Sequence, residues 1–129
     1  MTVFLHVIGW YNLLGAVVLL AMLHQAIANA VLHVWTRILA NPWKHPPLGR
    51  LWLTWAGACN LCLGFLMVRA ASWPEAIQQE VVAGTTGVYA LMYGTLVVGG
   101  RGPAFGAGIP VVHVLWLAQL TWGLWALLG

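Results

Sequence analysis

Charged residues are scarce in this sequence, and aspartate is absent altogether. The 129 residues include five lysines and arginines and two glutamates, so charged residues make up 5% of the chain. A soluble domain carries about 25% charged residues, because polar groups must cover its surface. Hydrophobic residues account for 62% of the chain. Lipid tails solvate such side chains, and the composition therefore predicts an integral membrane protein.

The few charges lie between four long uncharged apolar runs. Each run is close to the roughly 20 residues that a helix needs to cross the hydrocarbon, or longer. Together with their connections they use up the chain, which predicts one domain over residues 1–129: an all-α polytopic membrane protein with four transmembrane helices. The runs are Val3–Val34, Leu51–Val68, Val81–Gly100 and Ile109–Leu128.

The missing charges also exclude classes of function. Ion transport needs ionisable groups at mid-membrane, and the four runs contain no Asp, Glu, Lys or Arg. Membrane hydrolysis or acyl transfer needs a carboxylate or a Ser/His pair, whereas Ser72, Glu75 and Glu80 all fall near one surface. We therefore expect a protein that is not an enzyme. The net charge of +3 is not evidence for a nucleic-acid partner, because most of the basic residues lie in one loop.

The first helix is predicted to be overlong. No Pro or Gly occurs between Gly15 and Pro42, so nothing in the sequence ends the helix at the membrane surface. If it runs from Val3 to Ala40 it measures about 57 Å, nearly twice the hydrocarbon thickness. We expect it to span with its first half and then to bend or protrude. Its second half is predicted to lie at the interface or on another subunit, with a polar stripe of Gln25, Asn29, His33 and Arg37.

The remaining helices follow from the charges and the turn residues. Helix two is predicted over Leu51–Val68, and helix three from near Glu80 to Gly99-Gly100. A short loop from Gly102 to Pro110 then predicts an antiparallel hairpin of helices three and four. Loops one and three carry most of the basic residues, so the positive-inside rule places these loops in the cytoplasm and both termini outside. The expected location is a bacterial inner membrane.

Small residues predict two helix-packing faces. Gly57, Asn60 and Gly64 share one face of helix two, and a second set shares one face of helix three. Small side chains let helix backbones approach closely in lipid. The opposite face of helix three carries tyrosines, whose hydroxyls need partners in hydrocarbon. Interhelical hydrogen bonds are the favoured interpretation, and a polar pocket for a lipid headgroup, a quinone or a pigment carbonyl is the alternative. The residues of helix three are Gly84, Gly87 and Gly94 on one face and Thr86, Tyr89 and Tyr93 on the other.

Two histidines are candidate cofactor ligands. His24 lies late in the first run and His113 lies one turn into the fourth, so both are expected near the inner leaflet at similar depth. A facing pair can ligate a b-type haem, and one neutral imidazole can ligate the magnesium of a (bacterio)chlorophyll. The alternative for each is a hydrogen bond to a carbonyl or a place among the headgroups.

Cys59 and Cys62 form a CxxC pair in the middle of helix two. A reactive pair of this kind sits at a helix N-terminus, where the helix dipole lowers the thiol pKa. That effect is lost in mid-helix, and a redox relay to substrate needs further cysteines, of which the chain has none. We expect two small side chains buried in a helix interface, with quinone-linked thiol chemistry as the alternative.

These features favour an accessory or structural subunit of a larger integral membrane complex. Its expected partners are membrane lipids and other membrane subunits, and the host class is bioenergetic, respiratory or photosynthetic. A small redox protein that binds haem b, (bacterio)chlorophyll or quinone is the second hypothesis. A lipid-binding or transport homo-oligomer is the third.

Overall fold

The computed structural model describes residues 1–24, 26–28, 30, 46–99 and 109–129, and within these ranges the regular secondary structure is helical, without strands. This confirms the all-α class. Four long helices, which we number in chain order, make up the described part of the chain. They are α1 (Thr2–Ala21), α2 (Pro46–Ala70), α3 (Glu75–Gly99) and α4 (Ile109–Leu128).

The first helix ends at Ala21, well before Ala40. The backbone N–H groups of Leu23 and His24 bond to carbonyls three residues back, at 3.1 and 3.0 Å, which tightens the last turn. Helical backbone resumes at residues 26–28. The continuous form of the overlong helix is therefore wrong, and the predicted bend falls at residues 22–24. Residues 31–45, which include the predicted interfacial half, lie outside the described residues.

The chain turns after α1 at a place where no Pro or Gly requires it, and the turn is packed against α2. Met22 and Ala28, on either side of the turn, are both fully buried, and they form one cluster with Leu53 of α2. Apolar burial against α2 therefore stabilises the chain on both sides of the turn.

The second and third helices both begin earlier than the sequence predicts, and α2 ends at Ala70 rather than Val68. The second helix begins at Pro46 rather than Leu51, because proline is well tolerated in the first turn. The third begins at Glu75 rather than near Glu80. The Pro74 carbonyl accepts from the N–H groups of Ile77 and Gln78, at 2.9 and 3.1 Å, and so starts α3 directly. For α4 the observed range, Ile109–Leu128, is the predicted one.

The closest helix pair is α1 and α2. Gly9, near the start of α1, lies against Val68 and Gly64 near the end of α2. At the other end of the pair, Gly57 of α2 lies against Leu20 of α1. The two helices therefore run in opposite directions and touch along most of their length.

The main apolar core lies at the end of the molecule where α1 begins. Its buried side chains come from α1, α2, the turn that follows α2, and α3, and Trp122 of α4 packs against them. The rings of Phe4 and Trp122 meet edge to face, with centroids 5.6 Å apart and planes at 88°. The buried members are Phe4, Leu5, Ile8, Met67, Ala70, Ala71, Val82 and Tyr89.

Much of the outer surface is apolar. Leu91 and Trp125 are 72% and 70% exposed, and large aliphatic side chains are exposed on all four helices. Soluble monomers rarely show contiguous apolar patches larger than a few hundred Å². Two helical segments, Thr2–Ala21 and Gly49–Ala70, are long and apolar enough to cross a membrane. The structure thus has membrane-helix character at these two segments.

Candidate functional site

A buried polar contact joins three helices inside the core. The Asn12 Nδ2 group of α1 donates hydrogen bonds to the Tyr89 hydroxyl of α3 and to the Ile8 carbonyl, each at 2.7 Å. The Met67 sulfur of α2 lies 3.9 Å from the same nitrogen. Asn12 and Tyr89 are both 3% exposed. The Tyr89 hydroxyl therefore makes an interhelical hydrogen bond, which is the favoured expectation for it.

The Gln78 side chain stabilises the connection between α2 and α3 through hydrogen bonds. Its Nε2 group donates to the carbonyls of Ala71 and Trp73, at 3.0 and 2.9 Å. Its Oε1 atom accepts from the Thr2 hydroxyl at 3.1 Å. One side chain thus holds the start of α3, the turn before it and the start of α1 together.

Of the two candidate histidine ligands, the structure describes the side chain of His24 alone. His24 is exposed and lies in the turn after α1. His113 belongs to α4, but its side chain lies outside the described residues. Within the described ranges, no three His, Cys, Asp or Glu side chains gather as metal ligands would. Tyr93, the other predicted cofactor contact, is half-buried on α3.

Cys59 and Cys62 are exposed free thiols on the outer surface of α2. The expectation that they are buried in a helix interface is wrong. The side of α2 that faces α1 is instead formed by glycines and Asn60, and a β-carbon at Gly15 of α1 would lie 3.5 Å from the Asn60 Oδ1 atom.

The predicted small-residue faces have different surroundings in the structure. On α2, Gly57 and Gly64 both lie against α1: a β-carbon at Gly64 would lie 2.7 Å from the Gly9 carbonyl oxygen, and one at Gly57 would lie 2.7 Å from Leu20. On α3, Gly84, Gly87 and Gly94 have no described atom within 4 Å of the place where a β-carbon would be. We call the α3 surface formed by Gly84, Gly87, Leu91 and Gly94 the outer face of α3.

Two glycines outside the predicted set also mediate close contacts. Gly9 packs against α2, as described above, and Gly123 of α4 lies directly against the Thr86 side chain of α3. The Thr86 Oγ1 and Gln119 Oε1 atoms are buried without a hydrogen-bond partner among the described residues. Gln119 is one turn before Gly123 and therefore lies on the same side of α4. The contact between α3 and α4 is thus tightly packed, with unsatisfied polar atoms on these facing sides.

A groove opens between α2 and α3 on the outside of the molecule. It is a shallow, open groove with a volume of about 420 Å³. The Glu80 side chain lies in its wall and is exposed. Thr85 turns its hydroxyl to the Val81 and Val82 carbonyls, at 2.8 and 3.1 Å, so its polar atom is already engaged. We call this feature the α2–α3 groove; its lining is Leu63, Leu66, Glu80, Val81, Gly84, Thr85 and Val88.

The sequence analysis did not identify Asn12 or Gln78 as important residues. Asn12 is a single amide in a long apolar run, which is itself a signal, because a buried amide in hydrocarbon needs a partner. Gln78 lies between two glutamates in a polar segment, where nothing distinguishes it from a solvated residue. Comparisons with family models, with curated proteins and with solved structures found no match.

Proposed function

We propose that this chain is a non-catalytic accessory subunit of a larger integral membrane complex, anchored by four transmembrane helices of which α3 and α4 form an antiparallel hairpin. The two span-length apolar helices support the membrane placement. The exposed aliphatic and aromatic side chains around the bundle support it as well, because lipid solvates them at no cost.

The observation that carries the proposal is the outer face of α3. Glycine in a helix interior is less favourable than alanine by roughly 0.5–1 kcal/mol per residue. At Gly9, Gly57, Gly64 and Gly123 that cost is offset by close contact with another helix. Gly84, Gly87 and Gly94 have no such contact within the described chain. A helix of another membrane subunit packs on this face and provides the close contact that offsets the cost of these glycines.

The proposed topology has both termini on one side of the membrane, outside the cytoplasm. Two contacts support it. The bond between Thr2 and Gln78 places the start of α1 beside the start of α3, and the Phe4–Trp122 ring contact places the latter part of α4 at the same end. With four spans, these contacts support a topology in which the two termini and the α2–α3 connection share one surface.

The host that we propose is a respiratory or photosynthetic complex of a bacterial inner membrane. Such assemblies contain small all-helical subunits that fill gaps and hold lipid, quinone or pigment. The chain suits that role, since its outer surface is largely apolar and its mid-helix positions lack charges.

Native electrophoresis of gently solubilised membranes tests the proposal. The wild-type chain is expected in a band much larger than any small homo-oligomer, together with other membrane chains. Gly87→Leu, which adds bulk to the outer face of α3, should release the chain from that band. Ala58→Leu adds the same bulk to an exposed position of α2 and should leave the band intact.

A wild-type chain that migrates alone or as a small homo-oligomer contradicts the subunit proposal. The absorption spectrum of the purified chain then decides the next hypothesis. A Soret band or a chlorophyll Qy band that stays with the isolated chain would assign it to the cofactor-binding class.

A further inference from the structure

Two charges at the edges of apolar runs lie in or near the α2–α3 groove. Arg69 is the first residue after the run Leu51–Val68, and Glu80 is the last before the run Val81–Gly100. The hydrogen bond from Gln78 to the Ala71 carbonyl joins the start of α3 to the turn that follows α2. Arg69 and Glu80 are each two residues from this bond in the sequence, so both charges lie near the connection between α2 and α3.

Of the two charges, Glu80 belongs to the groove wall, and Arg69 lies beyond the groove lining on α2. Glu80 lines the groove directly, as does Leu66 of α2. Arg69 follows Leu66 by three residues, a spacing that places both on one side of a helix. Both charged side chains are exposed, and neither has an ion-pair or side-chain hydrogen-bond partner among the described residues. The groove thus has a largely apolar wall that contains one exposed anion, Glu80, and one exposed cation, Arg69, lies one turn beyond Leu66 on α2.

We propose that the α2–α3 groove binds a phospholipid whose headgroup carries a primary amine, of the phosphatidylethanolamine class. The acyl chain lies along Leu63, Leu66 and Val88. The ammonium group donates hydrogen bonds to the Glu80 carboxylate, a charge-assisted contact that a quaternary amine cannot make. The phosphate pairs with the Arg69 guanidinium, whose planar donors match phosphate oxygens. A purely anionic headgroup provides no cation to pair with Glu80 and is repelled by the negative charge of its carboxylate.

This inference rests on the proposed membrane placement and not on the partner subunit. The groove is formed by α2 and α3 of a single chain. It can therefore be tested on the purified full-length chain, and its outcome is distinct from that of the native-gel experiment.

Native mass spectrometry of the chain in micelles doped with equal amounts of phosphatidylethanolamine and phosphatidylglycerol is the test. We expect the wild-type chain to retain the ethanolamine lipid about threefold more than the glycerol lipid, an effect within the range of a partly exposed ion pair. Glu80→Gln should abolish this preference. Glu75→Gln, also exposed but outside the groove, should keep it.

Filling the groove provides a second, independent variant. Leu66→Trp should reduce retention of both lipids, whereas Phe65→Trp, on an exposed position next to the groove residue, should not. Equal retention of the two lipids by the wild-type chain would overturn the proposal while leaving the membrane placement intact. So would an equal effect of the two glutamate substitutions. If no lipid is retained by the wild-type chain or by any variant, the result would count against both the lipid proposal and the membrane placement.

Discussion

Glycine is the common residue at two surfaces of the molecule, the contact between α1 and α2 and the outer face of α3. Another helix of the chain lies against the first surface, and no described atom lies against the glycines of the second. At the α1–α2 contact, Gly9 and Gly64 bring two backbones together so closely that neither tolerates a β-carbon without movement. On the outer face of α3, Gly84 and Gly87 meet no described atom. Glycine spacing alone therefore does not reveal which helix face is paired within a chain. Geometry distinguishes a face already in use from one still available.

The largest effect is expected at Gly64. A β-carbon there would lie 2.7 Å from the Gly9 carbonyl oxygen and 2.8 Å from the Leu13 backbone nitrogen. Because both neighbours are backbone atoms, Gly64→Ala should lower the free energy of unfolding by about 2–3 kcal/mol, at the upper end of overpacking costs. SDS-titrated unfolding in detergent micelles, followed by circular dichroism, measures this. An unchanged midpoint would show that α1 and α2 are not in this contact.

A smaller loss is expected at Gly123 of α4. Its substitution by alanine meets the Thr86 side chain rather than backbone, and a side chain can rotate away. We expect Gly123→Ala to cost about 1–2 kcal/mol, and Thr86→Ala in the same chain to restore most of it. If the double variant is as unstable as the single one, the two residues do not touch.

The buried hydrogen bond between α1 and α3 should make a smaller contribution to the free energy of unfolding than either glycine contact. Tyr89→Phe removes the acceptor for Asn12 and should cost about 0.6 kcal/mol, the average for interhelical bonds in a membrane protein, and no more than about 1.7 kcal/mol, the maximum. Tyr11→Phe, at an exposed position of α1, is the matched control and should change stability little. A double-mutant cycle with Asn12→Ala should return a coupling energy of the same size. A coupling energy near zero would exclude the bond.

The smallest effect, with the opposite sign, is expected on the outer face of α3. Gly87→Ala meets no described atom and removes a helix-interior glycine, so the isolated chain should gain up to about 1 kcal/mol. The same SDS titration, run beside Gly64→Ala, gives the contrast directly. A loss of stability comparable to that at Gly64 would show that a helix of this chain already covers the face.

Composition and charge placement predicted the helical class and the range of α4, because long uncharged runs leave few alternatives to helices. The end of α1 at Ala21 was not predictable, since the turn after it is stabilised by Met22 and Ala28 packing with Leu53, far along the chain. The same applies to the candidate site. Gly57 and Gly64 were recognisable as a face from their spacing, but Asn12 depends on a tyrosine 77 residues away. Long-range contacts of this kind leave no periodic pattern in the sequence.

The most direct test is a photo-reactive side chain placed at Leu91, which is 72% exposed and lies on the outer face of α3. Irradiation of intact membranes should link it to one discrete membrane-spanning chain, and Gly87→Leu should abolish that product. The same group at Phe65, 64% exposed on α2, should give lipid adducts only. Lipid adducts alone at both positions would contradict the account, because the outer face of α3 would then face the bilayer.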